Sequence, residues 1–274
     1  MSAKVLMKGT DAIAEAAIQA GCRCYFGYPI TPQNEIPEYM SRRMDEVGGV
    51  FLQGESEIAS INMVHGAAAT GARAMTSSSS PGISLKQEGL SFLAAQELPA
   101  VIVNIVRGGP GLGNIAPSQG DYYQATRGGG HGDYRMPVFA PASIQELYDI
   151  TMESFDIADI YRTPVMIVGD GMMGQMMEPI VMHTPPPADL PPKDYILDGA
   201  QGRPSRILRS LILHPPEEEE HNWKLKRKYD LMRQTLPRHE EFMTDDATMV
   251  VVAYGTAARI AKGAVKRARA EGLN

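Results

Sequence analysis

Cysteine is scarce in this chain of 274 residues: there are two, Cys22 and Cys24. A bridge between such near neighbours would be strained, so a disulfide framework is excluded and reduced thiols in a cytoplasmic protein are the reading. Two cysteines also cannot hold an iron–sulfur cluster, which takes four ligands. No apolar run approaches the roughly 18–20 residues of a membrane helix. The opening Met1-Ser2-Ala3-Lys4-Val5 lacks the hydrophobic stretch of a secretory signal. Long basic runs are missing too. With 26 Lys and Arg against 32 Asp and Glu the formal charge is −6, which argues against nucleic acid as the main partner. Histidine is sparse, and no set at zinc-like spacing surrounds any of the six.

Glycine (27) and proline (20) are plentiful and cluster at turn-like positions, so many short loops are expected between regular elements. Thr10 to Ala20 is Ala-rich and reads as a helix, with Asp11 near its start. Cys24 to Tyr28 reads as a short buried strand, closed by Pro29 and Pro32. Gly48 to Leu52 is a second strand, and Ser56 to Thr70 is a helix stopped at Gly71. Ala72 to Ser77 is a third strand, followed by a serine run and a helix from Ser84 to Gln96. Ala100 to Val106 reads as a continuous apolar strand of the type buried on both faces. Ser143 to Asp159 is a helix opened by Ser143 with Glu146 three residues on, a capping box. Pro164 to Val168 is another buried strand. Strands alternating with helices predict an α/β fold, a parallel sheet with helices on both faces.

Beyond residue 183 the pattern changes. Thr184 to Pro192 is Pro-rich, Glu217 to Glu220 is a run of four glutamates, and Trp223 to Leu236 reads as a charged helix. Residues 184–245 are therefore expected to be a Pro-rich and acidic linker with one helix. Met249 to Tyr254 then reads as an apolar strand, Gly255-Thr256 as a tight turn and Ala257 to Glu271 as an amphipathic helix. One strand–helix unit cannot bury its faces alone. It either docks on the first domain or begins a second domain within which the chain stops; the second is the expectation.

Ligands of open parallel sheets sit at the carboxyl ends of the strands. Four such ends carry unusual residues. In Gly27-Tyr28-Pro29-Ile30-Thr31-Pro32 two prolines restrict the backbone around the Thr31 hydroxyl. Gly54-Glu55-Ser56-Glu57 opens a helix, where Glu57 either caps it through the helix dipole or is a buried carboxyl that shares a proton with a ligand nitrogen. Thr76 to Gly82 is made of small residues, but lacks the Gly-Lys-Ser/Thr end of a phosphate-binding loop. Arg107 to Gly113 sets one arginine beside a glycine loop, either a carboxylate clamp or a surface arginine on a flexible loop. In Gly128 to Asp133, His131 is a candidate acid or base; His65, on a helix amid Ala and Gly, reads as a packed histidine.

Taken together, the strings at 27–32, 55–59, 76–88 and 107–113 resemble, in order and spacing, the alpha subunits of 2-oxoacid:ferredoxin oxidoreductases, which are thiamine-diphosphate enzymes. Gln119-Gly120-Asp121-Tyr122 and the run from Gly128 to Tyr134 resemble the 2-oxoisovalerate (3-methyl-2-oxobutanoate) branch. The resemblance spans residues 5–180 and extends to 246–274. It implies a pyrimidine-binding thiamine diphosphate domain over 1–183 and the start of a transketolase C-terminal-like α/β domain at 246–274. By position Glu57 matches the glutamate at N1′ of the cofactor's aminopyrimidine, where a carboxyl favours the imino tautomer whose nitrogen can deprotonate the thiazolium. Tyr28, Pro29 and Ile30 fall at the cofactor-binding turn, and Thr31 and Arg107 match substrate-carboxylate binders. Ser79-Ser80 before Pro81-Gly82 departs from the Ser-Gly-Pro-Gly form of relatives.

The resemblance further implies oxidative decarboxylation of a 2-oxoacid to acyl-CoA and CO2, with electrons passing to ferredoxin. The pyrophosphate and Mg2+ site would belong to a beta subunit, and the 4Fe–4S clusters to iron–sulfur and gamma subunits, leaving this chain inactive alone and without metal ligands. A 2-oxoglutarate-specific relative, a non-oxidative decarboxylase subunit and a non-catalytic scaffold remain alternatives.

Overall fold

The computed structural model describes residues 4–185 and 188–274. Met1 to Ala3, which bear on the signal-sequence reading, and Pro186 and Pro187 of the Pro-rich stretch lie outside the described residues. The elements run β1 (Lys4–Lys8), α1 (Gly9–Gln19), β2 (Cys24–Gly27), α2 (Glu35–Arg43), β3 (Val50–Gln53), α3 (Glu57–Ala69), β4 (Ala74–Ser78), α4 (Ser80–Ala95), β5 (Ala100–Val106), α5 (Tyr122–Arg127), β6 (Val138–Phe139), α6 (Ile144–Tyr161), β7 (Pro164–Asp170), α7 (Gly171–Gln175), β8 (Met177–Val181), α8 (Pro215–Thr235) and α9 (Gly255–Ala270).

Six strands form one parallel sheet in the order β3-β2-β4-β5-β7-β6. Successive strand residues point to opposite faces, and two apolar layers follow. Tyr25, Met75, Val101, Val103, Ile105 and Ile167 pack against α1, α2 and α6. Phe26, Ala74, Ala100, Ile102, Met166 and Val168 pack against α3 and α4. The chain leaves β2 for β3 on one side and returns to β4 on the other, so the strand order reverses there. That is the place where an open α/β sheet leaves a crevice at its carboxyl edge. A separate antiparallel ribbon pairs β1 with β8.

The expected elements from α1 to β7 are present, with shifted ends. Helix α4 starts four residues before Ser84, because Pro81 occupies a first-turn position where its missing N–H is harmless. Strand β5 is not uniformly apolar: Asn104 is fully buried within it. At α6 the Ser143 Oγ accepts the Glu146 N–H at 3.1 Å, while the Glu146 carboxylate accepts the Ala142 N–H at 2.7 Å, one residue earlier than the standard box. Ser143→Ala is expected to lower unfolding stability by about 1 kcal/mol, measurable as a shift of the urea midpoint at unchanged slope.

Residues past 183 lie along the first domain. Leu197 N–H bonds the Ala69 carbonyl at 2.8 Å, and Lys193 pairs with buried Asp159, which also holds Arg73. Helix α8 includes the glutamate run in its first turns and docks through His221 on the Ala95 carbonyl and through Lys224 and Lys228 on Glu97. Burial alone would raise the Glu97 carboxyl; the two lysines hold it below its ordinary range.

One expectation fails. Met249 to Tyr254 makes no ladder, and Gly255-Thr256 is the start of α9 instead of a turn between strand and helix. A strand needs a hydrogen-bonding neighbour, and among the described residues none lies beside this one. Val252 is 94% exposed. The first turn of α9 does dock: Thr256 Oγ1 donates to Asp170 Oδ1 at 3.0 Å, both residues being buried. Tyr254 and Gln119 exchange two bonds of 3.0 and 3.1 Å. The accessible surface of 14309 Å² exceeds the roughly 11,600 Å² of a compact monomer of this mass. Much of the exposed apolar area belongs to Ile207, Leu211, Leu213 and Met249 to Val252.

Candidate functional site

Parallel strands put the carboxyl ends of β2, β3, β4 and β5 on one edge, where the loops after them carry two groups of contacts, one around Glu57 and one around Arg107. Glu57 is the first residue of α3. Its helix is capped by Ser56, whose Oγ accepts the Ala59 N–H at 3.2 Å, so Glu57 is not required as the cap. The residue is 7% exposed, and its carboxylate takes no hydrogen bond from any described residue. A carboxylate of a buried residue that takes no bond from the protein is available to a donor on a ligand.

The first turn of α4 closes against it. A Cβ at Gly82 would stand 2.7 Å from Glu57 Oε1 and 2.0 Å from Ser78 Oγ, so only glycine lets the helix begin there. Thr76 Oγ1, Ser78 Oγ and Ser79 Oγ are buried without partners. Each such group is destabilising by about 1–3 kcal/mol. Lys86, one turn further along α4, is fully buried and donates from Nζ to the Glu57 carbonyl at 3.3 Å. Burial pushes its ammonium down to about 8, against the opposing pull of Glu57.

Arg107 meets the main chain of Thr31. Arg107 donates from Nη1 to the Thr31 carbonyl and from Nη2 to the Leu112 carbonyl, both at 2.9 Å. Its Nε–H is buried and unpaired, and among the described residues no carboxylate forms an ion pair with it. An arginine satisfied only by carbonyls keeps its charge uncompensated and suits an anion. The Thr31 side chain is exposed, as are Tyr28 and Pro29, with Ile30 half-buried.

Below this turn runs a chain of buried hydrogen bonds. The Ser77 hydroxyl donates to Gln33 Oε1, so the Tyr25 hydroxyl, 2.6 Å from Ser77 Oγ, is the donor to it. Gln33 Nε2 reaches the Tyr28 carbonyl at 3.4 Å. Burial raises the Tyr25 hydroxyl, which keeps it a donor.

His131 stands apart. Its exposed side chain sits on a loop whose backbone bonds Ser91 at 2.9 Å, nine residues along α4 from Gly82 and roughly 13 Å down the axis. The loop is glycine-rich because it presses on α4: a Cβ at Gly130 would stand 2.0 Å from Ser91 Oγ. His65 pairs with Gln96 at 3.0 Å, as a packed histidine does. Cys22 and Cys24 are free thiols.

Lys86, Asn104 and Gln33 escaped the sequence reading, though two left signals. Lys86 falls on the apolar stripe Ile83, Leu90, Leu93 of α4, and Asn104 is the one polar residue in Ala100–Val106.

Comparison with known proteins gives the family. Residues 15–200 match the family profile described as pyruvate flavodoxin/ferredoxin oxidoreductase, thiamine diphosphate-binding. The ketoisovalerate oxidoreductase subunit VorB of Methanothermobacter thermautotrophicus is 51% identical over 269 residues, covering 98% of this chain and 76% of the relative. The 2-oxoglutarate synthase subunit KorA of Archaeoglobus fulgidus is 39% identical, covering 98% and 78%. A solved 2-oxoglutarate:ferredoxin oxidoreductase from Magnetococcus marinus, with 2-oxoglutarate, coenzyme A and succinyl-CoA bound, superposes with a TM-score of 0.87 at 27% identity over 99% of this chain. The chain spans about half, 52%, of that structure. A parallel sheet with the carboxyl-edge residues above, a profile over two thirds of its length and relatives of this identity together establish that the chain belongs to the thiamine-diphosphate-binding pyruvate flavodoxin/ferredoxin oxidoreductase family.

Proposed function

We propose that this chain is the alpha subunit of a 2-oxoacid:ferredoxin oxidoreductase that converts 2-oxoisovalerate, CoA and oxidised ferredoxin to acyl-CoA, CO2 and reduced ferredoxin. The observation that carries the reading is Glu57, a buried residue whose carboxylate has no hydrogen-bond partner among the described residues at the mouth of the sheet. Beside it lies the Ser78 hydroxyl, which has no partner among the described residues, with the Ser79 hydroxyl next in the chain likewise unpaired. These groups fit an aminopyrimidine, whose protonatable ring nitrogen and amino group offer what they lack. Glu57 would share a proton with the ring nitrogen, and the turn Tyr28-Pro29-Ile30 would border the ring. Thiamine diphosphate, when bound, supplies the electron sink for loss of CO2 from a 2-oxoacid. Arg107 and Thr31, on the neighbouring strand ends, would take the substrate carboxylate: the guanidinium supplies charge and a free Nε–H, and the threonine a hydroxyl.

The identity of 51% to a ketoisovalerate subunit, against 39% to a 2-oxoglutarate subunit, supports the branched substrate. Relatives that are subunits support an assembly, with the pyrophosphate, Mg2+ and iron–sulfur sites on partner chains. The exposed apolar residues Met249 to Val252 support reading 246–274 as the start of a second domain. Among the described residues no helix is long and apolar enough to cross a membrane.

The test is 2-oxoacid-dependent viologen reduction by the full-length chain assembled with its partner subunits, over branched, short and dicarboxylic acids. CoA-dependent reduction, fastest with 2-oxoisovalerate, is expected. A preference for the dicarboxylic acid would move the assignment to the 2-oxoglutarate branch. A complex that binds thiamine diphosphate yet reduces nothing would overturn the oxidoreductase reading.

A further inference from the structure

Two runs that the proposed function leaves unused, the serines before Pro81 and Gln119-Gly120-Asp121-Tyr122, meet at the backbone of Arg107. Ser80 Oγ lies 2.7 Å from Asp121 Oδ2, 3.1 Å from the Arg107 amide nitrogen and 3.3 Å from the Arg107 carbonyl oxygen. A serine hydroxyl has one proton and two lone pairs. The proton goes to the nearest and only charged acceptor, Asp121, and the Arg107 N–H donates to the hydroxyl oxygen. Asn104, fully buried on β5, closes the circuit: its Nδ2 donates to the same Asp121 oxygen at 2.9 Å, and its Oδ1 accepts the Ser80 N–H at 3.1 Å. The neighbours of Asp121 in the chain are anchored as well. Gln119 is bonded to Tyr254, and the Tyr122 and Tyr254 rings lie 5.7 Å apart.

We infer that Ser80 and Asp121 are positioning residues that set the direction of Arg107, and through it the affinity for the substrate carboxylate. The inference rests on the reading of Arg107 as the carboxylate binder. Arg107 is the first residue past β5, where the ladder with β7 ends at Val106. Its guanidinium reaches across to the Thr31 carbonyl from that point. The ladder with β4 ends earlier, at Ser78 opposite Asn104, and on that side the Ser80 hydroxyl takes the Arg107 amide; with the isolated bridge of Arg107 to Pro117 it fixes where the long side chain starts. A residue without a hydroxyl at position 80 could not do this; here the serine and Asp121 supply it jointly.

The test measures KM for the 2-oxoacid, kcat, thiamine diphosphate affinity and melting temperature in the full-length assembled enzyme. The variants are Ser80→Ala, Asp121→Ala, Asp121→Asn, Arg107→Ala and the double variant Ser80→Ala/Arg107→Ala. Ser80→Ala and Asp121→Ala are expected to raise KM about fivefold, the size of one net hydrogen bond, with kcat and cofactor affinity nearly unchanged and a lower melting temperature from the buried groups left unpaired. Asp121→Asn, which keeps an acceptor oxygen, should restore most of the KM. In the Arg107→Ala background Ser80→Ala should add nothing, because its effect passes through the arginine. Additive effects in the double variant, or a loss of cofactor affinity parallel to the rise in KM, would overturn the inference in favour of a structural network. An unchanged KM in Arg107→Ala would instead overturn the carboxylate-binder reading, and a raised KM there with normal values in the other single variants would defeat the inference alone.

Discussion

Glu57→Gln in the assembled full-length enzyme is expected to lower kcat by about a hundred- to a thousandfold, while thiamine diphosphate stays bound. Glutamine keeps the shape and can still hydrogen-bond a ring nitrogen, but it cannot share a proton with one. The competing account makes Glu57 a first-turn carboxylate that only complements the helix dipole. That role contributes about 0.3–1 kcal/mol of stability and touches no rate. The two accounts therefore separate on different axes. Ser56 already caps α3, and the Gly82 backbone stands where any side chain would strike the carboxylate, so capping leaves the geometry around Glu57 unexplained. Steady-state kinetics at saturating 2-oxoacid, with cofactor affinity measured alongside, decide it. A kcat within threefold of the parent would reduce Glu57 to a helix-end charge and take the proton-sharing role with it.

Lys86→Met should make the isolated chain more stable at neutral pH, by about 2 kcal/mol, and the gain should vanish at high pH. Burial lowers the folded-state ammonium from 10.5 to about 8, and Glu57 offsets only part of that. The sign follows from proton counting. Below about pH 8 the lysine is charged in both states, and the folded state bears the full desolvation penalty. Between about 8 and 10.5 the unfolded chain binds more protons than the folded one, so stability rises with pH across that window. Methionine has similar length, no charge and no such window. Urea unfolding of parent and variant from pH 6.5 to 10.5 isolates the difference, since other titrating groups are common to both. A variant less stable at neutral pH, or a gap independent of pH, would mean that the ammonium is well solvated or paired. Keeping a destabilising cation beside Glu57 is itself consistent with a site in which function opposes stability.

Several features of the site were legible before the fold because they depend on local chemistry. Glycine at 82 answers to a close approach, and the prolines around Thr31 restrict a turn. The helix starting near Ser56 obeys capping rules. The alternation of buried strands and amphipathic helices announces a parallel sheet, and a parallel sheet places its ligands at one edge. Errors came where local pattern and long-range pairing disagree. Met249 to Val252 has the composition of a buried strand, but strand formation is a property of two chains side by side, and the second is not beside it. The serine run looked like loop because Pro81-Gly82 reads as a turn, whereas the same pair suits the first turn of a helix.

Composition and order along the chain were thus enough for the fold class, while the family, and with it Glu57, Thr31 and Arg107 as the residues to watch, came from the resemblance of four short strings. Hydrophobic period, capping and motif spacing act over a few residues and survive in the linear text. Which of those residues touch was decided only in three dimensions. Ser80 reaches Arg107 across 27 positions and Asp121 across 41. Lys86 reaches Glu57 across 29. Such contacts form because β4 and β5 are neighbours in the sheet and because α3 packs on α4, and that adjacency arises from burying both faces of the sheet at once. No short-range rule encodes it, so the network that directs the arginine and the buried lysine behind the glutamate emerge only when the chain is folded.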